Sequence, residues 1–187
     1  MSFPGIPSLD AAVMAFIQTH FHNTVTDTVF PIITSLGEAG IGWIVFSLVL
    51  LCFKKTRRTG GLVLIAMTVT LLFGELTLKN IICRLRPCNV FTDFPMLIAR
   101  PTSYSFPSGH TSSSFAAALI LTLRHKKVGW LAYIPAVLIA FSRIFLFVHY
   151  PTDVLAGILL GTLAALLTYF AAKAIQKRQA EKHTAQI

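Results

Sequence analysis

Charge is scarce in this chain: 12% of its 187 residues are charged, while 55% are hydrophobic. A water-soluble domain of this length needs far more polar surface, so the scarcity excludes an ordinary soluble fold and points into the bilayer. Acidic residues are scarcer still, 7 against 16 Lys and Arg, for a formal net charge of +9. A basic balance of that size is common among nucleic-acid binders. Here the cations sit in short clusters between long apolar runs, the pattern that orients membrane proteins, so nucleic acid is excluded as a partner. Cysteine is limited to Cys52, Cys83 and Cys88, too few and too scattered for a disulfide framework or a structural metal site. Cys83 and Cys88 are expected to pack as small apolar side chains, or to bridge if both lie outside the cell. No basic region precedes an apolar run at the N-terminus, so a cleaved signal peptide is not expected. The apolar runs lack alternating polarity, which excludes a strand barrel.

What remains is apolar and helical. Five runs approach the length needed to span a hydrocarbon core about 30 Å thick: residues 29–53, 61–83, 110–123, 128–148 and 152–175. The third is short unless Ser108 and Gly109 belong to it. Ahead of the first, Leu9, Val13, Phe16, Ile17 and Phe21 recur at helical spacing, with Asp10, Gln18 and Thr19 elsewhere. This predicts an amphipathic helix, either lying in the membrane interface or packed on the bundle. The expected fold is all-α: a polytopic transmembrane bundle of about five spans plus an N-terminal interfacial helix. It forms one domain over residues 1–187, divided into the interfacial helix (1–26), a catalytic helical core (27–175) and a basic cytoplasmic tail (176–187).

Lys and Arg set the orientation. The first connection carries Lys54, Lys55, Arg57 and Arg58, the third Arg124, Lys126 and Lys127, and the tail Lys173, Lys177, Arg178 and Lys182. The residues before the first run contain no Lys or Arg. With five spans these facts agree on an N-terminus outside and the basic connections inside. Lys79, Arg84, Arg86, Arg100 and Arg143 then fall at the outer side and need another explanation.

Three segments converge there: Lys79 followed by Arg86-Pro87, then Pro107-Ser108-Gly109-His110, then Ser142-Arg143 with His149 and Asp153. Lys79, Arg86 and Arg143 are cations at the edge of a low-dielectric medium, where unpaired charge is expensive, and such residues persist when they hold an anion. The Arg guanidinium is a planar fork matched to phosphate oxygens. Ser108 and Gly109 open a helix, whose free N–H groups and dipole favour an anion, and Gly109 permits close approach. A dianionic phosphate ester needs a nucleophile on one side and a proton donor on the other, and the imidazoles of His149 and His110 suit both roles near neutral pH. Asp153, four residues after His149, can accept the Nδ1 proton and leave Nε2 free to attack. No Asp, Glu and His group has the spacing of a two-metal hydrolytic site, so neither a metal nor another cofactor is expected.

These residues resemble the three-part signature of the type 2 phosphatidic acid phosphatase superfamily, K-x6-RP, PSGH and SR-x5-H-x3-D. Every defining position is filled: Lys79, Arg86, Pro87, then Pro107, Ser108, Gly109 and His110, then Ser142, Arg143, His149 and Asp153. The resemblance implies that His149 is the nucleophile of a phosphohistidine intermediate and Asp153 the group that orients it. His110 is implied as the general acid and later the activator of water, and Lys79, Arg86, Arg143, Ser108 and Gly109 as the phosphate cradle. Bacterial lipid phosphatases of this family often have six spans, and this chain is expected to lack the first, with the interfacial helix as its N-terminal element. The implied activity is hydrolysis of a lipid phosphate or pyrophosphate at the outer or periplasmic face of the cell membrane, foremost undecaprenyl pyrophosphate. Phosphatidylglycerol phosphate and phosphatidic acid are close competitors, and a membrane transporter is the remote alternative. The family's vanadium-dependent haloperoxidases use a similar cradle, but they are soluble and larger.

Beyond the signature, Glu75 lies one helical turn before Lys79 and is expected to pair with it. Glu38, flanked by Gly37 and Gly40, is an intramembrane acid and a candidate for lining the substrate groove. Arg84 and Arg100 read as snorkelling anchors. The connection 88–106 is either a lid over a lipid chain or a loop resting on the membrane surface.

Overall fold

A computed structural model describes residues 3–184. No strand occurs among them, and the helices are α1 (Ser8–His20), α2 (Thr24–Leu36), α3 (Ile41–Cys52), α4 (Arg57–Thr70), α5 (Lys79–Ile82), α6 (Pro87–Val90), α7 (Gly109–Arg124), α8 (Tyr133–Phe145) and α9 (Pro151–Thr184). A π-helical segment, Leu71–Leu78, joins α4 to α5.

The first apolar run is not one straight rod. Asn23 opens α2 with a reciprocal capping box to Thr26, which satisfies N–H groups that an isolated helix leaves bare. Gly37 closes it, and the short turn Glu38–Gly40 follows with Ala39 and Gly40 at φ 47° and 70°. Two left-handed residues in succession cannot continue a right-handed helix, so α3 leaves at a bend of 44°. Arg57–Val90 and Pro151–Thr184 are each long and apolar enough to cross a membrane, and the bent pair of α2 and α3 makes a third if taken as one span. The segment Gly129–Phe145 is apolar but shorter.

The remaining run belongs to α7, 16 residues long and buried along most of its length. A helix walled in by protein need not be apolar, and α7 carries Ser112, Ser113 and Ser114 inside the bundle. Two of these hydroxyls return to carbonyls three residues back, Ser112 to Gly109 and Ser113 to His110, and Ser114 accepts from Trp43 Nε1 at 2.9 Å. The partner helix α9 meets α7 through Gly157 and Gly161, where a Cβ would strike the carbonyls of Ser108 and Ser112. Small residues four apart let two backbones touch, the usual contact between helices that have no water to escape.

The N-terminal helix turns polar side chains towards the bundle. It packs on α8 and α9, with Asp10, Met14, Ile17 and Gln18 inward, while Leu9 and Phe16 of the apolar stripe are 58% and 56% exposed. Gln18 Nε2 donates to the carbonyl of Phe145 at 3.0 Å. In an apolar surrounding, polar groups find partners only in the protein, so the polar side turns in. At the other end α9 runs on as helix to Thr184, exposed over its last turns, so the described part of the expected basic tail is helical. Residues 185–187 of that tail lie outside the described residues.

Cys83 is exposed, Cys88 is buried, and both are free thiols, so the outer bridge is not formed. The run 128–148 also ends early as helix. A short turn, Gly129–Ala132, precedes α8, which stops at Phe145, and Phe147 adopts φ 59°. The N–H groups of Val148 and His149 both fold back to the carbonyl of Arg143 at 3.2 Å. Phe147 is fully buried and stacks on Phe94 at 3.9 Å between ring centroids, so packing holds this unfavourable backbone in place.

The α7–α9 contact gives a direct test. Gly161→Val forces the helices apart and is expected to cost about 1–3 kcal/mol, read as a lower melting temperature in detergent. Gly61→Ala, where a Cβ meets nothing within 4 Å, is expected to leave the melting temperature unchanged or raised.

Candidate active site

At one end of the bundle the chain gathers its buried cations. Cys83, at φ 51°, terminates α5, and the backbone then runs extended through Arg86 into Pro87, the first residue of α6. This course turns the Arg86 guanidinium inward. Its Nε donates to the Ser103 carbonyl at 2.7 Å and Nη2 to Ser103 Oγ at 3.0 Å, while Nη1 donates to the Val148 carbonyl and to His149 Nε2, both at 2.9 Å. Arg143, in the last turn of α8, is buried and donates to Thr34 Oγ1 on α2; its Nε has no partner among the described residues. Lys79, also buried, donates to both oxygens of Glu75 at 2.6 Å. The expected Glu75–Lys79 pair is therefore present. The Glu75 carboxylate also lies over Gly109, where a Cβ would collide with it. An anion thus already rests between Lys79 and the N-terminus of α7, where helix N–H groups favour one.

Ser108 caps α7: its Oγ accepts from Thr111 Oγ1 at 3.0 Å, and its own N–H donates to the Asp153 carbonyl at 3.1 Å. His110 follows one residue inside the helix. Its Nε2 lies 3.7 Å from Glu38 Oε2, on the bend between α2 and α3, and makes no hydrogen bond among the described residues.

His149 stands in the connection between α8 and α9 and is 1% exposed. Because Nε2 accepts from Arg86, the imidazole is neutral with its proton on Nδ1. Burial, and then the charges of Arg86, Arg143 and Lys79, hold its pKa well below the ordinary histidine range. Nδ1 is 3.4 Å from Asp153 Oδ2, close but without a formed hydrogen bond. Asp153, in the first turn of α9, is fully buried and accepts the Tyr150 N–H at Oδ2, 2.9 Å away.

A cavity of about 750 Å³ unites these groups. Five of the expected residues line it: Lys79, Arg86, Gly109, His110 and His149, together with Glu38 and Glu75. Ser108, Arg143 and Asp153 are buried behind that lining rather than in it. Away from the cations the wall turns apolar, through Ile44, Leu64, Met67 and Leu71. Among the described residues no group of three or more His, Cys, Asp or Glu gathers as a metal-binding set.

Two expectations are overturned. Arg84 is no snorkelling anchor. Its Nη1 donates to Asp153 Oδ1 at 2.6 Å and to Thr152 Oγ1 at 2.7 Å, and its Nη2 to Asp10 Oδ2 at 2.7 Å. A guanidinium with two buried carboxylates in reach has no reason to seek the headgroups. Arg100 instead fastens its own loop, donating to the Thr92 carbonyl at 2.9 Å. That loop packs through Phe91, Phe94, Met96 and Ile98 on the core, and it supplies Ser103 to Arg86. Sequence reasoning missed Asp10, Thr34 and Ser103. Asp10 carried one usable signal, an acid in an otherwise apolar helical stretch.

Comparison with known proteins comes to the same region. Residues 59–177 match the family model described as PAP2 superfamily. The chain is 39% identical over 127 residues to an undecaprenyl-diphosphatase of Sulfolobus acidocaldarius, a match that covers 67% of this chain and only 61% of that protein. It is 32% identical over 145 residues to the bacitracin transport permease protein BcrC of Bacillus licheniformis, covering 76% of this chain and 71% of that one. Its fold is similar to the crystal structure of the first transmembrane PAP2 type phosphatidylglycerolphosphate phosphatase from Bacillus subtilis, with a TM-score of 0.73, 29% identity and coverage of 92% and 89%.

Glu75 offers a prediction that needs no substrate. Glu75→Gln strips Lys79 of its counter-charge, so the melting temperature without phosphate is expected to fall. Inorganic phosphate is expected to raise it more than in the unaltered protein, because an anion can take the vacated place. Equal phosphate-induced shifts in the two proteins would show that Glu75 and phosphate do not compete.

Proposed function

The chain belongs to the PAP2 superfamily, and from that premise we propose that it is a membrane phosphohydrolase acting on a lipid phosphate or pyrophosphate through a phosphohistidine intermediate. The observation that carries this reading is the neutral His149, its Nε2 turned to the Arg86 fork at the wall of a cavity that also holds Lys79 and His110.

In the proposed sequence the substrate's terminal phosphate enters the cavity, and Arg86 exchanges its bond to Nε2 for bonds to phosphate oxygens. Lys79, Arg143 and the α7 N-terminus with Ser108 and Gly109 share the negative charge, which strengthens as the transition state forms. The freed Nε2 lone pair attacks phosphorus. The P–N bond forms as the bond to the leaving oxygen breaks, and His110 gives that oxygen a proton. Asp153 stabilises the positive charge that spreads to Nδ1 of His149. Water, deprotonated by His110, then attacks phosphorus, the P–N bond breaks, and orthophosphate leaves. No step calls on a metal.

Undecaprenyl pyrophosphate is the leading substrate, supported by the Sulfolobus relative's name. Phosphatidylglycerol phosphate, acted on by the similar Bacillus subtilis protein, and phosphatidic acid remain competitors, because this cradle reads the phosphate rather than the lipid. The apolar wall of the cavity suits either kind of chain. The clusters at Lys54–Arg58, Arg124–Lys127 and the tail support a site facing outside or periplasm, in a five-span cell-membrane protein. The name of the Bacillus licheniformis relative favours transport as a second reading. Against it, the buried charges gather at one end of the bundle and not at the midplane where transporter sites lie.

The test is phosphate release from a panel of lipid phosphates in excess EDTA, comparing the unaltered protein with His149→Ala. Release is expected to survive chelation and to fall by at least about a thousandfold in the variant, and the panel's ranking names the lipid. Vesicle flux of a lipid phosphate that survives His149→Ala, with no release from either protein, would transfer the assignment to transport.

A further inference from the structure

Behind the cavity lies a charge chain that the family signature does not contain. Asp10, on α1 and therefore outside the matched residues 59–177, is fully buried. Its Oδ1 accepts the backbone N–H of Thr152 at 2.9 Å, and Oδ2 accepts Thr152 Oγ1 and Arg84 Nη2, both at 2.7 Å. Asp10 thus caps the helix that carries Asp153, from another helix altogether. Arg84 lies across the gap, Nη2 on Asp10 and Nη1 on Asp153 Oδ1, with its Cζ 3.7 Å from the centroid of the Tyr150 ring. Arg84 on Oδ1 and the Tyr150 N–H on Oδ2 fix the plane of the Asp153 carboxylate. Its Oδ2 lies 3.4 Å from His149 Nδ1.

We propose that Asp10 and Arg84 are positioning residues for His149, so that the N-terminal helix is part of the active site's support and not only a membrane element. Asp10 holds Arg84, Arg84 holds Asp153, and Asp153 selects the Nδ1-protonated tautomer that presents a bare Nε2 to phosphorus. Asp10 also shares the charge of Arg84. Without that sharing, the full guanidinium charge falls on Asp153 and weakens its hold on the Nδ1 proton. The nucleophilic role of His149 rests on the function proposed above; the geometric role of Asp10 does not.

Asparagine caps helices as well as aspartate does, so Asp10→Asn keeps one oxygen for the Thr152 N–H and replaces the charged oxygen on Arg84 with an amide N–H donor. In the full-length protein in detergent, this variant is expected to stay folded with a lowered melting temperature, since one partner of a buried ion pair is neutralised. Its KM and its inhibition by inorganic phosphate stay within about twofold, while kcat drops about ten- to a hundredfold. Arg84→Lys, which keeps a charge but loses the fork, is expected to lower kcat in the same way. Nitrogen-15 NMR of histidine-labelled protein supplies a readout without turnover, the His149 signals being identified by their loss in His149→Gln. They are expected to report a proton on Nδ1 in the unaltered protein and a tautomer mixture in Asp10→Asn. Unchanged His149 signals would overturn the proposal, as would a kcat loss that only accompanies lost phosphate affinity. If the unaltered protein releases no phosphate at all, the parent reading fails, and the NMR comparison still decides the positioning role.

Discussion

A cation inside an apolar bundle must be given acceptors or an anion, and one end of this protein is organised by that requirement. Lys79 is met by Glu75, Arg86 by Ser103, Val148 and His149, Arg143 by Thr34, and Arg84 by two carboxylates. Each solution recruits a different segment, so satisfying the charges draws α1, α2, the π-helical segment, the 88–106 loop and the α8–α9 connection to one place. The connection is typical of intramembrane charge, which is rare and persists where it has work to do. Three of the cations face the cavity or lie just behind it with spare donors. The fourth, Arg84, is tied to two buried carboxylates. That difference separates groups able to receive an anion from a group that braces the frame.

Packing supports the same end of the molecule. The close α7–α9 contact, possible only at Gly157 and Gly161, sets Ser108 against Asp153 through the bond from the Ser108 N–H to the Asp153 carbonyl. The starts of the two helices are thereby held in register. The left-handed turn at Phe147 performs the matching task for the connection, doubling Val148 and His149 back on Arg143. Both devices decide where His149 points.

The signature residues were legible in the sequence because their chemistry and spacing are distinctive: cations at span ends, a Ser-Gly-His helix start, and His149 with Asp153 one turn on. The helical class was legible from the length of the apolar runs. Other features were hidden for physical reasons. The amphipathic pattern of α1 was legible, but not which of its residues meet the bundle, because the partners of Asp10 and Gln18 lie far along the chain. Arg84 looked like an anchor because its partners, Asp10 and Asp153, lie 74 and 69 residues away along the chain. The end of α8 at Phe145 could not be seen, since Leu146, Phe147 and Val148 continue the apolar pattern without a break. The third run was legible as short, and α7 is a helix of 16 residues that begins at Gly109 with Ser108 as its cap.

The bond between Asp10 and Thr152 joins residues 142 apart, which sets an order of assembly. The N-terminal helix is made first, and Asp10 has no Thr152 to cap until the last long helix has been made. Contacts of such separation close late, after most of the chain entropy has been lost. The hydrogen-bonded frame behind His149 is therefore among the last parts of the molecule to form, and a chain halted before Thr152 holds Lys79, Arg86 and His110 without it. Such an incomplete chain can gather an anion before it has a braced nucleophile.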